Sequence, residues 1–145
     1  MARFIRVLLS VLLGLVIGSA VNMALIMVSG RVIPPPPGAD VTTMEGLKAS
    51  LPLFEAKHFV FPFLAHALGT LVGAFVAALL APAKATVAAY VVGAFFLLGG
   101  IANIVMLPSP LWFSAVDLLL AYLPAAWLGK RLAARVRLAR SRGGA

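Results

Sequence analysis

Residues 7–28 read VLLSVLLGLVIGSAVNMALIMV and contain no charged side chain. A transmembrane helix needs roughly 20 mostly apolar residues to cross about 30 Å of hydrocarbon, so this stretch is long enough to span a membrane. Three similar stretches follow, at about residues 59–81, 85–107 and 111–128, and only the last contains a formal charge, Asp117. The sequence therefore predicts an all-α, polytopic membrane protein. Its single transmembrane domain, over residues 1–145, is expected to contain helices at about 5–28, 58–81, 85–107 and 111–135.

The composition excludes an ordinary soluble domain. Only 11% of the residues are charged, against about 25% in soluble domains, and the mean hydropathy is +1.09. The chain has no cysteine, which excludes disulfides and thiolate metal sites. It also lacks the H-E-x-x-H, G-x-S-x-G, Walker A and G-x-G-x-x-G motifs. We therefore expect no metal and no cofactor, and the sequence disfavours an enzyme.

Lysine and arginine residues predict the orientation, because they are enriched on the cytoplasmic side of membrane proteins. Arg3 and Arg6 precede the first helix, Lys84 lies between the second and third, and six more basic residues fall within 130–142. Both termini are therefore predicted to be cytoplasmic, with the helices in an up-down-up-down bundle. The net charge of +8 favours contact between the basic tail, 130–145, and anionic lipid headgroups, and no nucleic acid is expected.

A cleaved signal peptide ending near Gly18-Ser19-Ala20 is the alternative interpretation of the N-terminus. It is disfavoured because the apolar run continues to Val28, beyond the 7–15 residues of a typical signal-peptide core.

The external loop, residues 29–57, contains two local signals. Pro34–Pro37 favours a stiff, extended polyproline segment. The sequence Thr42-Thr43-Met44-Glu45 is a capping box, which predicts a helix beginning just after Thr42. Because its apolar residues recur at helical spacing, we expect a short amphipathic helix at about 43–51, ended by Leu51-Pro52.

Small residues are spaced for helix packing. Gly14 and Gly18 form one GxxxG motif, and Gly69 and Gly73 form another on the second helix. Small residues let helix backbones approach closely in lipid, where apolar side chains gain little by meeting one another. The motifs are compatible with packing inside one bundle and with a homo-oligomer, and both interpretations remain open.

The fourth helix contains a proline, Pro124, which should kink it. Tyr122 and Trp127 lie nearby and are expected to anchor this helix at the cytoplasmic interface, where aromatic residues are enriched.

Each predicted helix carries a polar residue at a similar depth. With a rise of about 1.5 Å per residue, Asn22, His66, Asn103 and Asp117 lie about 9, 12, 6 and 9 Å below the outer boundary. Thr70 follows His66 by one turn. Ionisable residues at such depth face the bundle interior and are a functional-site hypothesis by default.

Asp117 needs a partner in this layer, and His66 is the best available. An imidazole gains and loses a proton near neutral pH, so a His–Asp pair can share one. Glu55 and His58 precede the second helix and would form an outer entrance to such a site. Polar residues in membrane bundles also serve only to link helices, and this interpretation is favoured for Asn22 and Asn103.

Four segments carry a resemblance: LFEAKHFVFPFLAHALGT at 53–70, VIPPP at 32–36, MEGLKAS at 44–50 and LPSPLWF at 107–113. In these the chain resembles a group of small bacterial four-helix integral membrane proteins. The resemblance implies a multi-pass protein of the bacterial inner membrane and brings no activity with it.

Three functional hypotheses follow. The first is a non-enzymatic inner-membrane protein, an accessory or oligomeric subunit with a membrane-protein partner, whose polar layer fixes helix packing. The second is binding or transport of protons, a cation or a small polar ligand at an outward-facing His–Asp site. The third is lipid handling, because the polar layer lies toward the outer leaflet.

Overall fold

The structure is a computed structural model that describes residues 1–143. Within these residues the regular structure is entirely helical. The six α-helices are α1 (Ala2–Val32), α2 (Met44–Ser50), α3 (Val60–Leu80), α4 (Ala85–Met106), α5 (Leu111–Leu120) and α6 (Leu123–Gly143). Short 3-10 helices lie at Leu51–Leu53, Ala56–Phe59 and Pro82–Lys84.

Four helical stretches in the described chain are long and apolar enough to cross a membrane. They are Arg3–Val32, Ala56–Leu80, Pro82–Met106 and Leu111–Arg142, and an 18-residue window in each has a mean hydropathy of 2.4, 2.1, 2.0 and 1.6, respectively. The prediction of an all-α protein with four such helices is confirmed. The first helix extends to Val32, beyond the predicted 28, since an uncharged run continues to Gly30 and no proline occurs before Pro34.

Helix α3 lies at the centre of the bundle. It packs against α1 on one side and α6 on another, and α4 contacts α1, α3 and α6. The surrounding core is built largely from alanine, and Ala74, Ala77 and Ala88 are completely buried. Such small side chains let the helices approach closely without the hydrophobic driving force that water would supply.

The fourth predicted helix, expected at about 111–135 with a kink at Pro124, is interrupted just before that proline. Helix α5 ends at Leu120 and α6 begins at Leu123. Pro124 has no N–H to donate, and its ring would clash with the carbonyl of the residue four positions earlier, Leu120. The two turn residues between the helices, Ala121 and Tyr122, change the direction of every side chain that follows.

The loop after α1 is less extended than the four prolines predict. The segment after Ile33 is irregular only as far as Pro36, whose carbonyl accepts a hydrogen bond from the Ala39 N–H at 3.0 Å. Gly38 lies inside this turn at φ +82°, a conformation that side chains disfavour. The segment of prolines therefore ends in a turn at residues 37–38.

Helix α2 begins one residue later than the capping box predicts. Thr43 is the N-cap, and its hydroxyl accepts from the Gly46 N–H at 2.9 Å. Thr42 instead donates its N–H and its hydroxyl to Oδ1 of Asp40, at 2.8 and 2.6 Å. Because Thr42 is bonded to Asp40, Thr43 caps the helix in its place.

The bundle has two distinct ends. We call the end that carries α2 the loop end, and the end that carries the start of α1 and the basic part of α6 the tail end. At the tail end Arg6 Nε donates to the Leu80 carbonyl and Arg137 Nη1 donates to the Ala78 carbonyl, each at 2.8 Å. These arginines satisfy carbonyls of the last turn of α3, which have no partner within the helix.

Candidate functional site

His66, Asp117 and Tyr122 form a hydrogen-bonded cluster between α3 and the α5–α6 break. His66 Nδ1 lies 2.9 Å from Asp117 Oδ1 and 3.0 Å from Oδ2. The Tyr122 hydroxyl donates to Asp117 Oδ2 at 2.8 Å and lies 3.0 Å from His66 Nδ1. The rings of His66 and Tyr122 stack, with centroids 5.8 Å apart. The structure therefore brings together the two ionisable residues that the sequence places at one depth.

The three residues of the cluster differ in their exposure to solvent. Asp117 and Tyr122 are each 1% exposed, whereas the His66 side chain is 17% exposed. The carboxylate is therefore shielded behind the imidazole, which is the one member of the cluster that a ligand can reach.

The hydrogen-bond pattern determines where the proton of a neutral His66 resides. Nδ1 faces both carboxylate oxygens of Asp117, which only accept when ionised, so Nδ1 carries the proton. The other ring nitrogen, Nε2, makes no hydrogen bond to any residue in the range 1–143. Its lone pair is then available to a donor or a proton, the arrangement that carboxylates impose on histidines in many functional sites.

A cavity of about 540 Å³ lies at the loop end, between α1, α3, α4 and the loop that covers them. His66 forms part of its wall, together with Asn22 from α1 and Asn103 from α4. Apolar residues from the helices and the loop complete the wall, among them Ile26, Met27, Leu47, Phe61 and Leu107. The cavity thus has a few polar groups in an apolar surface, as small-molecule sites do.

The two asparagines share this cavity with His66 without bonding to it. Asn22 Oδ1 is buried and has no hydrogen-bond partner in the described part of the chain. An unpaired buried acceptor is unfavourable by about 1–3 kcal/mol. Thr70, also named from the sequence, is completely buried one turn below His66 and does not line the cavity.

Glu55 and His58 differ in position. His58 lines the cavity, near its outer side. Glu55 lies outside it, in a shallow groove with the prolines of the loop, and forms an exposed ion pair with Lys57 at 3.1 Å. His58 Nδ1 accepts from the Glu55 N–H at 2.9 Å, so the pair also caps the 3-10 helix before α3.

The four packing glycines meet one another inside the monomer. A Cβ on Gly14 would lie 2.5 Å from the Gly73 carbonyl oxygen, and one on Gly18 would lie 2.6 Å from that of Gly69. The reverse contacts are equally tight, at 2.7 and 2.8 Å. Helices α1 and α3 are therefore antiparallel and pack backbone to backbone, which holds Asn22 beside the α3 turn that carries His66.

Tyr122 is the site residue that the sequence argument missed. The expectation that it anchors the helix at the interface is wrong, because its ring is buried against α4. Gly100 provides the room, since a Cβ there would collide with the Tyr122 hydroxyl. On an unbroken helix Tyr122 would point away from Asp117, and only the break before Pro124 lets it turn back to that carboxylate. Trp127, the other expected anchor, is 40% exposed.

Comparisons with protein-family models, curated proteins and solved structures found no significant match to this chain.

Proposed function

We propose that this is a small multi-pass protein of the bacterial inner membrane, with both termini in the cytoplasm and the loop end facing outward. The distribution of basic residues supports the orientation, since the tail end contains Arg3, Arg6, Lys84 and the six basic residues of α6. The resemblance to small bacterial four-helix proteins supports the location.

Its function, in this proposal, is the non-enzymatic binding of a small polar ligand that donates a hydrogen bond to His66. The observation that carries the proposal is that the two ring nitrogens of His66 differ in their hydrogen bonding. Nδ1 is held by the buried Asp117 carboxylate, whereas Nε2 has no hydrogen-bond partner among the described residues, and the ring as a whole lines a cavity of about 540 Å³.

The packing beneath the cluster favours binding over conduction. Thr70, Ala74 and Val92 lie below His66 and are completely buried. A proton or ion that reached the imidazole would meet this closely packed layer instead of a continuous path. Transport would need a second conformation that opens this layer.

The charge of the cluster favours a cation or a neutral donor as the ligand. With His66 neutral, the buried group carries the single negative charge of Asp117, and no lysine or arginine lines the cavity among those described. A small ammonium group satisfies both requirements, because it is positively charged and donates hydrogen bonds.

Methylammonium is a suitable probe, and tetramethylammonium is its matched control because it has the same charge and no N–H. Protein labelled with ¹⁵N-histidine would be titrated with each ion in nanodiscs. We expect methylammonium to shift the His66 ring resonances saturably and tetramethylammonium to leave them unchanged. The chain has only two histidines, so the His66→Gln spectrum assigns the signals.

Asp117→Asn should abolish the methylammonium response in a protein that remains folded. Equal responses to both ions would show that charge alone is recognised. No saturable response of His66 to either ion would contradict the binding proposal.

A second candidate is a structural role as an accessory or oligomeric subunit. The hydrogen bonds from His66 and Tyr122 to Asp117 link α3 to the α5–α6 break, and such links hold helices together in many membrane proteins. In this case purification in mild detergent should recover a stoichiometric partner or a homo-oligomer. Asp117→Asn would then change only the melting temperature.

A further inference from the structure

A second cavity, of about 430 Å³, lies at the tail end where the α3–α4 turn meets α6. Four of its wall residues are basic: Lys84 from the turn, and Lys130, Arg131 and Arg137 from α6. They come from parts of the chain that only the fold brings together. We call these four residues and the space between them the basic cavity.

The basic cavity has no acidic side chain to balance it. All four acidic residues of the chain are described by the structure; Asp40, Glu45 and Glu55 lie in the loop, and Asp117 lies in the buried cluster. The ion pairs of residues 1–143 are Lys57–Glu55 and His66–Asp117, and both are remote from this end. Several like charges around one cavity repel one another unless an anion from outside the chain neutralises them.

Aromatic rings hold two of these cations in place. The Arg131 guanidinium lies 4.4 Å from the ring centroid of Trp127, and Lys130 Nζ lies 5.5 Å from that of Tyr90. A guanidinium stacked on a ring face still has its N–H groups free at the edge, where they fit two phosphate oxygens. The cavity therefore presents directed donors as well as charge.

We propose that the basic cavity binds the phosphodiester headgroup of an anionic phospholipid. A lipid is favoured over a free phosphate because one wall is apolar: Val87 lines the cavity and is 50% exposed, so acyl chains can pack beside the cations. Trp127, under Arg131, is also partly exposed and is typical of the membrane interface. The first turn of α4 adds partial positive charge to the same wall.

This proposal differs from general attraction of the basic tail to a charged surface. It includes Lys84, which is not in the tail, and it leaves out Arg135, Arg140 and Arg142, which lie on α6 but do not line the cavity. The two sets allow a matched comparison, because the same number of charges can be removed from each. The proposal does not involve the loop-end cavity, so its test is independent of the ligand of His66.

Lipid at the site can be measured through Trp127. The Trp112→Phe background leaves it as the single tryptophan, and phospholipids with brominated acyl chains quench it on contact. Quenching by brominated phosphatidylglycerol, compared with brominated phosphatidylcholine in vesicles, gives the preference for the anionic headgroup. Thermal unfolding in phosphatidylcholine vesicles confirms that each variant is folded.

We expect the parent protein to prefer phosphatidylglycerol, and Arg131→Gln alone to lower the preference by about fivefold. Replacing Lys84, Lys130 and Arg131 together by glutamine should abolish it. The control that replaces Arg135, Arg140 and Arg142 by glutamine should keep the preference within about twofold of the parent, since headgroup contact is lost only at the cavity.

If the two triple variants lost the preference for phosphatidylglycerol equally, the attraction would be diffuse and the proposal would be overturned. In a second experiment, inorganic phosphate or chloride is added at the same ionic strength, and the loss of quenching by brominated phosphatidylglycerol is measured. If phosphate displaces phosphatidylglycerol from the site and chloride does not, a free phosphate is the ligand and the lipid assignment is wrong. If neither anion displaces it, the lipid assignment holds.

Discussion

Replacing Asp117 by asparagine should move a proton on His66 while the bundle stays folded. The Tyr122 hydroxyl donates to Oδ2, so the asparagine oxygen should occupy that position and the NH₂ group the position of Oδ1. The NH₂ would then lie about 2.9 Å from His66 Nδ1. A protonated Nδ1 would face this NH₂ donor at the shorter of its two distances, so we expect Nδ1 to become the acceptor and the proton to move to Nε2. Nε2, the ring nitrogen without a partner among the described residues, thus changes from an acceptor to a donor.

The expected loss of stability is small because every hydrogen bond finds a replacement. Bonds to a charged group contribute about 1.5–3 kcal/mol each and neutral bonds about 0.5–1.5 kcal/mol. Interhelical bonds in membranes fall at the low end of such ranges. With the bonds to His66 and Tyr122 both made neutral, the free energy of unfolding should fall by about 1–2 kcal/mol, and the melting temperature by a few degrees. Asp117→Leu leaves both donors buried and unpaired, which should lower stability by about 2–6 kcal/mol.

Two measurements check this reasoning. Nitrogen-15 NMR separates the protonated from the unprotonated nitrogen of a neutral imidazole, and the His66→Gln spectrum identifies the relevant pair. The protein should show a protonated Nδ1 in the parent and a protonated Nε2 in Asp117→Asn, at a pH where the ring is neutral. Thermal unfolding in the same detergent ranks the parent, the asparagine variant and the leucine variant.

The reasoning is refuted if the proton remains on Nδ1 in Asp117→Asn. It is also refuted if the asparagine variant is as unstable as the leucine variant, since the geometry would then not accommodate the amide. Loss of the methylammonium response together with the tautomer change would connect the proton position to binding.

Three further predictions concern packing, the hydroxyl of the cluster and the loop. Gly73→Ala should lower the free energy of unfolding by about 1–3 kcal/mol, because its Cβ would lie 2.7 Å from a backbone oxygen of α1. Gly99→Ala, whose Cβ meets nothing within 4 Å among the described residues, should leave stability nearly unchanged, and equal melting temperatures would contradict the packing argument. Tyr122→Phe removes one donor to the buried carboxylate and should lower stability by about 1.5–3 kcal/mol without moving the proton from Nδ1, as chemical denaturation and NMR can show. Hydrogen bonds from the side chain and backbone of Thr42 lower the pKa of Asp40 below its usual 3.8, so the stabilisation of the loop is present above that value and is lost as the pH falls through the lower, folded-state pKa. A carboxyl ¹³C titration of Asp40 with a midpoint at or above 3.8 would be inconsistent with these bonds.

The sequence was sufficient to predict the four spanning helices, because their length and hydropathy are properties of contiguous residues. It also placed His66 and Asp117 at one depth, since rise per residue converts position into height. Depth, however, does not determine the direction in which a side chain points around its helix. Asn22 and Asn103 share that depth and line the cavity, but neither bonds to His66, because azimuth around each helix depends on packing.

Tyr122 shows where local reasoning fails. Its neighbours Pro124 and Trp127 indicate a helix end near an interface, and the sequence contains no local sign that Gly100, on another helix, leaves space for its hydroxyl. The cap of α2 shows the same limit on a smaller scale, because Asp40 and Thr43 compete for roles that the capping motif alone assigns to Thr42.

The amino-acid sequence alone determined that the chain has four helices long and apolar enough to cross a membrane, and which residues in them are polar, because length and hydropathy are summed along the chain. Only the tertiary structure decided that the carboxylate lies behind the imidazole, that one ring nitrogen is held and the other is free, and that Lys84 joins the arginines of α6. These are relations between helices, set by the close approach of glycine and alanine surfaces and by the break before Pro124, and no segment contains them by itself.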